Sequence, residues 1–314
     1  MSPPAISNGP LRAPLTNVGG KTAFITGGSS GIGLGIARAC AAAGMRIVIT
    51  FQTEEHVVEA RRSLEADGAT FRAIELDVRD RHAMANAEAE ARSVFGNIHL
   101  LCNNAGVGIA TPITESCFGE WDFALAVNLG GVINGVQTIV PGMMAHGEPA
   151  HVVATASMSG LFHGGTAGIY TTTKFAVVGM MEALRAELAP AGIGVSVLCP
   201  GFVTSNIHRS ERKRPPESFP LGRPSDRDLE RAARLQAMMP VGMPPLECGE
   251  RVLRGIRRND MYILTHPEYE QGVRDRFEAL LASMPPPERL EAQQAVLRHA
   301  VYVLERQRLA EASA

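Results

Sequence analysis

Thr26-Gly27-Gly28-Ser29-Ser30-Gly31-Ile32-Gly33 is the stretch of this 314-residue chain that decides its fold. It joins a short apolar run at 22–26 to an alanine-rich stretch of helical character. Spaced glycines at a strand-to-helix turn let the backbone approach a pyrophosphate, which the N–H groups of the helix N-terminus stabilise. A glycine-rich connection that binds nothing is the alternative. The stretch therefore predicts a nucleotide-binding turn at the first strand of the fold.

Short apolar runs alternate with longer amphipathic stretches along the rest of the chain, which is typical of βαβ units. Helices are predicted to begin near Gly31, Glu54, Arg81, Gly119 and Gly168, since parallel strands need crossovers of about this length. Strands are predicted at 22–26, 46–51, 70–76, 99–103, 151–156, 194–199 and 261–265. The predicted fold class is α/β: a Rossmann-type, doubly wound parallel sheet of about seven strands with helices on both faces.

Composition excludes several classes of partner. A formal net charge of -2 gives no overall attraction to nucleic acid or to an anionic membrane. The N-terminus lacks the pattern of a signal peptide, and no run reaches the ~18 apolar residues of a membrane span. No His, Cys, Asp or Glu set has the spacing of metal ligands, and the five cysteines form no CxxC pair. We expect a cytoplasmic protein with no nucleic acid, membrane or metal partner.

Further motifs follow the glycine turn in a fixed order. Asn103-Asn104-Ala105-Gly106 follows the fourth predicted strand, and Asn128 lies in the next helix. Ser157 ends the fifth strand, Tyr170 and Lys174 open the helix after it, and Pro200-Gly201 follows the sixth. With the TGxxxGxG spacing of the turn, this order resembles the short-chain dehydrogenase/reductase family over about residues 21–265. The resemblance implies an oxidoreductase that interconverts a secondary alcohol and a ketone with NAD or NADP.

The resemblance also assigns the cofactor contacts. Gly27, Gly31 and Gly33 would form the pyrophosphate turn; Asp77 would face the adenine, Asn104 the adenine ribose and Thr204 the nicotinamide amide. The implied set is completed by Ser29, Ser30, Ile32, Phe51, Gln52, Val78, Ala105, Gly106, Tyr170, Lys174, Pro200, Gly201 and Val203. Without the resemblance, Asp77 reads equally well as a plain carboxylate at a strand end.

The end of the second strand distinguishes NAD from NADP in this family, because an acidic residue there binds the ribose hydroxyls and repels a 2′-phosphate. This chain has Phe51 at that position, with Thr50, Gln52 and Thr53 around it. The site has no repelling acid and no obvious arginine to pair with a phosphate. We expect NADP in preference to NAD.

Tyr170 and Lys174 are four residues apart in a helical stretch, so both side chains project from the same face. A phenol with a reference pKa near 10 is a poor proton shuttle at neutral pH. A neighbouring ammonium favours the phenolate and is expected to lower that pKa. An accidental spacing of an amphipathic tyrosine and a solvated lysine is the alternative for an isolated YxxxK pair.

Two more polar residues complete the predicted catalytic set. Ser157 stands at the carboxyl end of a parallel strand, where open α/β sheets bind ligands, and its hydroxyl would donate to the substrate oxygen. Ser159 is its nearest competitor. The resemblance implies that Asn128 holds a water near Lys174, although it is otherwise simply a polar residue in a helix interior.

The C-terminal half is predicted to form the substrate side. Residues 1–20 are expected to be a flexible leader, 21–266 one catalytic domain with a substrate lid at about 202–246, and 267–314 a helical extension. Ser157, His163 and Phe202 are candidate pocket residues. The lid also carries apolar side chains that suit a bulky, partly aromatic substrate or simply pack the lid onto the body, namely Phe202, Phe219, Leu221, Met238, Met239 and Met243.

Motifs in the C-terminal half resemble one subgroup of the family. They are the stretch 128–135, Ser205-Asn206-Ile207, Tyr262-Ile263-Leu264 and the extended tail. This subgroup includes bacterial dehydrogenases that oxidise benzylic alcohols of lignin-derived aryl ethers. Relatives pair through the two central apolar helices, which implies a homotetramer or homodimer. A non-catalytic nucleotide sensor and a dehydratase or epimerase of the same fold remain alternatives.

Overall fold

Seven parallel strands form one sheet in the computed structural model, which describes residues 15–52, 54–163, 167–207, 215–216, 226–285, 302, 305–306 and 309–310. The strands are β1 (Thr22–Ile25), β2 (Arg46–Phe51), β3 (Phe71–Glu75), β4 (Leu100–Asn103), β5 (Ala150–Thr155), β6 (Ile193–Cys199) and β7 (Tyr262–Leu264). Their order is β3-β2-β1-β4-β5-β6-β7, and every pair is parallel. The predicted doubly wound α/β fold is confirmed.

Nine α-helices are found among the described residues: α1 (Gly31–Ala42), α2 (Glu54–Ala66), α3 (Arg81–Phe95), α4 (Phe118–Leu125), α5 (Gly131–His146), α6 (Gly168–Leu188), α7 (Asp226–Met238), α8 (Pro245–Arg258) and α9 (Glu270–Ala282). Four of the five predicted helix starts coincide with an observed first residue, and the fifth differs by one. A π-helical turn, Ala126–Gly130, joins α4 to α5.

The sheet separates two apolar clusters, because successive side chains of a strand point to opposite faces. Phe24 and Val48 lie in the cluster that α3, α4, α5 and α6 cover. Ala23 and Ile47 lie in the other cluster, with residues of α1, α2 and α8. The cavity described below opens at the edge of this three-layer core.

Helix α8 is absent from the sequence-based prediction, yet it packs directly on α1. A Cβ atom added at Gly35 of α1 would lie 1.9 Å from the carbonyl oxygen of Pro245, and one added at Gly249 of α8 would lie 2.2 Å from the carbonyl oxygen of Gly35. The two helices therefore cross backbone to backbone. The sequence of α8 is strongly amphipathic, so a search for apolar periodicity could have found it. Its buried apolar side chains are those of Cys248, Val252, Leu253 and Ile256.

The two ends of the chain are described in part. Leu15 and Val18, inside the predicted leader, are buried in the core, while residues 1–14 lie outside the described residues. Much of the predicted lid, at 208–214 and 217–225, also lies outside them, as do positions 286–301 of the extension. Glu305 of the extension is buried and pairs with Arg185 of α6 at 2.9 Å.

The continuous helical stretch Phe118–His146 is long and apolar enough, by composition alone, to cross a membrane. In this fold 56% of its most apolar window is buried against the protein itself. Core helices of water-soluble proteins share this composition, and Val132, Val136 and Ile139 belong to the core. The stretch therefore belongs to the core of this fold.

Candidate active site

A cavity of about 840 Å³ lies at the carboxyl ends of the strands. Its wall includes Gly27 after β1, Phe51 at the end of β2, Asn104 after β4, Ser157 after β5 and Gly201 after β6. Open parallel sheets bind ligands at this edge, where the strand order reverses beside β1. The order of the strands therefore brings together motifs that are far apart in the sequence.

The glycine turn has a backbone that only glycine fits. Gly27 and Gly31 have φ angles of +61° and +50°, in the region that side chains disfavour. A Cβ atom at Gly33 would lie 2.3 Å from the carbonyl oxygen of Gly27, so this residue packs beneath the turn. The N-cap residue Ser30 makes no side-chain capping hydrogen bond to the first turn of α1. The N-terminus of α1 thus faces the cavity as a positively polarised end.

Hydroxyl groups hold this turn to its neighbours. Thr26 Oγ1 accepts hydrogen bonds from the backbone N–H groups of Asn104 at 2.9 Å and Ala105 at 3.0 Å. Thr50 Oγ1 accepts from the N–H of Gly27 at 3.2 Å. The turn after β1, the end of β2 and the Asn-Ala-Gly segment after β4 therefore form one connected wall.

Asp77 and Arg79 form a bidentate ion pair at the β3 side of the cavity. The shortest contact, from Arg79 Nη2 to Asp77 Oδ2, is 2.7 Å. Burial raises the pKa of Asp77, but the hydrogen bonds and charge of Arg79 outweigh it and hold that pKa below its usual value. The Arg79 guanidinium also lies 5.6 Å from the ring centre of Phe123. Asp77 is therefore a fixed carboxylate rather than a loose strand end.

Tyr170, Lys174 and Ser157 meet at the other end of the cavity. Lys174 is buried, its Nζ donates to the carbonyl oxygen of Thr155 at 2.8 Å, and it lies 5.5 Å from the ring centre of Tyr170. The Ser157 hydroxyl is close enough to Tyr170 to lower the pKa of the phenol. All three side chains line the cavity. The arrangement places a phenol, a hydroxyl and an ammonium beside the same space.

Burial controls the acidity of these groups. It raises the pKa of Tyr170 above the usual value, and Cys199 adds to this, while the nearby Ser157 hydroxyl lowers it. Burial also lowers the pKa of Lys174 to about 8, with a smaller opposing effect of Cys199. The pKa of Tyr170 is therefore raised overall, although Lys174 was expected from the sequence to lower it. The reason is that removal of the phenol from water outweighs the favourable neighbours.

Asn128 lies in the π-helical turn, behind the cavity wall. Its Oδ1 accepts from the N–H of Val107 at 2.8 Å, and its Nδ2 donates to Val107 O at 3.0 Å and to Thr173 Oγ1 at 3.1 Å. Thr173 in turn donates to the carbonyl oxygen of Tyr170 at 2.8 Å. π-Helical turns widen a helix locally and are frequent at functional sites. The turn here aims a buried amide at the helix that carries Tyr170 and Lys174.

Comparison with known proteins decides the family. The short chain dehydrogenase family model matches residues 21–216. The chain belongs to the short-chain dehydrogenase/reductase family. The C alpha-dehydrogenase of Sphingobium sp. (strain NBRC 103272 / SYK-6) is 38% identical over 269 residues, which cover 85% of this chain and 88% of that protein.

Solved structures of this dehydrogenase/reductase family agree. A member from Burkholderia phymatum in complex with NAD has a TM-score of 0.81 and 34% identity, covering 88% of this chain and 99% of its own. The LigD apo form from Sphingobium sp. strain SYK-6 has a TM-score of 0.70 and 35% identity, covering 85% and 98%. The chain is thus an oxidoreductase of CH–OH groups that uses NAD or NADP. These relatives do not favour a sensor, dehydratase or epimerase.

The cavity fits the dinucleotide that members of the short-chain dehydrogenase/reductase family bind. The glycine turn leaves no room for side chains between the strand edge and the N-terminus of α1, as a pyrophosphate requires. The same cavity continues from Phe51 and Asp77 at one end to Tyr170 and Phe202 at the other. The cavity is therefore continuous from the glycine turn to the phenol.

Most residues that the family resemblance assigned do line this cavity. They are Gly27, Ser29, Ser30, Gly31, Ile32, Phe51, Gln52, Asp77, Val78, Asn104, Ala105, Gly106, Ser157, Tyr170, Lys174, Pro200, Gly201, Phe202 and Val203. Gly33 and Asn128 support the wall from behind. Among the described groups of His, Cys, Asp and Glu, none is arranged to hold a metal.

Two assigned residues, Thr204 and His163, are not part of the cavity lining. Thr204 does not line the cavity, because its hydroxyl donates to the carbonyl oxygen of Met239 at 2.8 Å. His163 is exposed, and its Nδ1 lies 3.4 Å from Thr171 Oγ1. It stays a prediction that His163 reaches a bound substrate.

Helix α7 lies within the predicted lid segment. Residues of α7 and the turn after it line the cavity, among them Arg231, Leu235 and Met239. Of the other apolar lid residues, Phe202 lines the cavity, Met238 is exposed, Met243 packs on the α1–α8 side, and Phe219 and Leu221 lie outside the described residues.

Arg79, Phe162 and Tyr269 are among the wall residues that the sequence reasoning missed. The sequence gives only one indication of Arg79, namely its positive charge two positions after Asp77. Phe162 follows Ser157 by five residues on the same connection, so it was within reach of a motif search. Tyr269 gives no local signal, because it reaches the cavity from the far end of the chain.

Proposed function

We propose that this enzyme interconverts a secondary alcohol and a ketone with Tyr170 as general acid and base, Ser157 as the donor to the substrate oxygen, and Lys174 and Asn128 in support. The observation that carries the proposal is the meeting of Ser157, Tyr170 and Lys174 on one wall of the cavity that the glycine turn also lines. The bound NAD or NADP supplies the acceptor or donor of the hydride.

Each side chain has a separate task in the proposed chemistry. The Ser157 hydroxyl donates a hydrogen bond to the substrate oxygen and fixes its position. Tyr170 takes the proton of the alcohol oxygen during oxidation and returns it during reduction. The ammonium of Lys174 favours the ionised phenol, and because burial lowers the pKa of Lys174 to about 8, this support is expected to be lost as pH rises above that value. Asn128 holds a water that links Lys174 to solvent.

The proposed substrate is bulky and partly aromatic, with the reacting oxygen on a Cα carbon. The large cavity and its apolar wall residues Phe202, Ile207, Leu235 and Met239 support the bulk. The name of the relative from Sphingobium, C alpha-dehydrogenase, supports a reaction at the Cα carbon. Members of this family act on small molecules, so no macromolecular substrate is proposed.

An absorbance assay of reduced nicotinamide tests the proposed function. The protein is mixed with NAD or NADP and a panel of secondary alcohols, and reduction is expected with arylalkyl alcohols, faster with NADP than with NAD. The preference for NADP is proposed because Phe51 replaces the acid that would repel a 2′-phosphate, and the guanidinium of Arg61 lies 6.0 Å from the Phe51 ring centre. No reduction with any alcohol and either cofactor would contradict the function.

The Phe51→Asp variant tests the cofactor preference separately. The new carboxylate accepts from the ribose hydroxyls and repels a 2′-phosphate, so the ratio of kcat/KM for NADP to that for NAD is expected to fall. A wild-type enzyme that already uses NAD much better than NADP would show the preference to be wrong. That result would leave the oxidoreductase function intact.

We further propose a homodimer or homotetramer. Exposed apolar side chains on α4 and α5 support self-association, among them Phe118, with 89% of its surface exposed, and Met144, with 55%. Sedimentation velocity at micromolar concentration is expected to show a dimer or a tetramer. A monomer as the sole species would contradict this proposal.

A further inference from the structure

Two aromatic rings from distant parts of the chain form one section of the cavity wall. Phe162 follows β5, and Tyr269 stands directly before α9. Both line the cavity, and their ring centres are 6.1 Å apart with the planes tilted by 43°. This is the offset and tilted geometry that aromatic pairs prefer. Both side chains are partly buried and pack on the core below.

Each ring lies directly on the backbone of a glycine. A Cβ atom at Gly201 would lie 2.5 Å from Cε2 of Tyr269, and one at Gly272 would lie 2.7 Å from Cε2 of Phe162. Any larger residue at either position would displace a ring. Gly272 belongs to α9 and supports the ring of Phe162, so the extension and the catalytic domain hold each other's ring in place.

His266 is a third neighbour of the Tyr269 ring, beside Phe162 and Gly201. The two ring centres are 6.0 Å apart, with the planes at 66°. His266 Nδ1 accepts from the N–H of Gly201 at 3.1 Å, and Nε2 lies 3.1 Å from the carbonyl oxygen of Phe202, which requires a hydrogen on Nε2. These bonds tie Tyr269 to the segment that also carries the cavity residues Gly201 and Phe202.

We propose that Phe162 and Tyr269 form an aryl-binding subsite that receives the aromatic group attached to the alcohol carbon. The inference rests on the proposed function, since Ser157 and Tyr170 line the same cavity and define where the alcohol oxygen lies. A third ring continues the tilted arrangement of the pair, because the edge of one ring is attracted to the face of the next. A saturated ring of equal size fills the space but lacks that attraction. The C-terminal extension thereby determines substrate choice.

The test compares 1-phenylethanol with 1-cyclohexylethanol, which differ in aromaticity and little in size. The wild type is expected to prefer the phenyl substrate in kcat/KM. Tyr269→Leu, which keeps apolar bulk, is expected to reduce that preference about three- to tenfold, the worth of one aromatic pair. Tyr269→Phe is expected to restore most of the lost ratio, since it retains the ring. Gly272→Ala, which displaces Phe162, is expected to reduce the ratio as well.

Phe277→Ala is the matched control, because Phe277 lies on α9 but is 48% exposed and does not line the cavity. Its phenyl-to-cyclohexyl ratio is expected to equal that of the wild type. A ratio that is the same in wild type and Tyr269→Leu, or that falls equally in Phe277→Ala, would overturn the subsite.

A binding measurement keeps this inference separate from the proposed function. Acetophenone and cyclohexyl methyl ketone are titrated calorimetrically into wild type and Tyr269→Leu in the presence of oxidised cofactor. Tighter binding of acetophenone to the wild type, reduced in Tyr269→Leu, supports the aryl subsite even if no alcohol is oxidised. Equal binding of the two ketones by the wild type overturns it, whatever the outcome of the absorbance assay.

Discussion

Tyr170→Phe is expected to lower kcat at least about 100-fold while cofactor affinity stays almost unchanged. Phenylalanine keeps the ring and its packing but removes the only cavity hydroxyl proposed to exchange a proton with the substrate oxygen. The loss therefore falls on the chemical step rather than on binding. The measurement is kcat with the best alcohol found, beside cofactor affinity from a fluorescence titration.

Tyr302→Phe provides the control for that experiment. The Tyr302 hydroxyl donates to Glu182, away from the residues that line the cavity. This variant is expected to retain wild-type kcat. A Tyr170→Phe enzyme with more than about a tenth of the wild-type kcat would refute general acid–base catalysis by this residue, because such catalysis is worth at least ~100-fold.

Lys174→Ala is expected to lower both kcat and cofactor affinity. The variant loses the ammonium that favours the ionised phenol, and it loses the contact to the nicotinamide ribose that the family resemblance implies. A hydrogen bond from a charged group is worth about 1.5–3 kcal/mol, so cofactor affinity is expected to weaken at least about tenfold. The two quantities are measured as for Tyr170→Phe.

Lys174→Met separates charge from packing. Methionine fills most of the volume of the buried lysine stem, so a loss that comes only from a cavity would be largely restored. We expect Lys174→Met to resemble Lys174→Ala in both measurements. A methionine variant with near wild-type cofactor affinity would show that the ammonium does not contact the cofactor.

Local signals predicted the sheet and most helices well. The alternation of apolar runs and helical stretches sufficed for the strands, because a strand covered on both faces is apolar along most of its length, as in Ile193–Cys199. The glycine turn and the Tyr170–Lys174 pair were found because each is contiguous or one helical turn apart. The strand order brings the glycine turn and the Tyr170–Lys174 pair together in one cavity.

What the sequence did not predict depends on distant partners. Helix α8 is positioned by close backbone contact with Gly35 of α1, which precedes Pro245 of α8 by about 210 residues in the sequence. Tyr269 is a wall residue because Gly201 leaves room for its ring. The upward direction of the Tyr170 pKa arises from burial by the complete fold. The packing of α8, the placement of Tyr269 and the direction of this pKa shift cannot be inferred from the neighbouring residues in the sequence.

The backbone contact between α1 and α8 has a mechanical consequence for the cavity. The N-terminus of α1 lines the cavity at the glycine turn, and α8 leads through β7 to the segment that holds Tyr269. Gly35 and Gly249 lie at the crossing, so the two backbones touch directly. No layer of side chains, which could repack, lies between the helices at this point. The contact therefore fixes the spacing of the two helices, one of which begins at the glycine turn while the other leads to the segment that carries Tyr269.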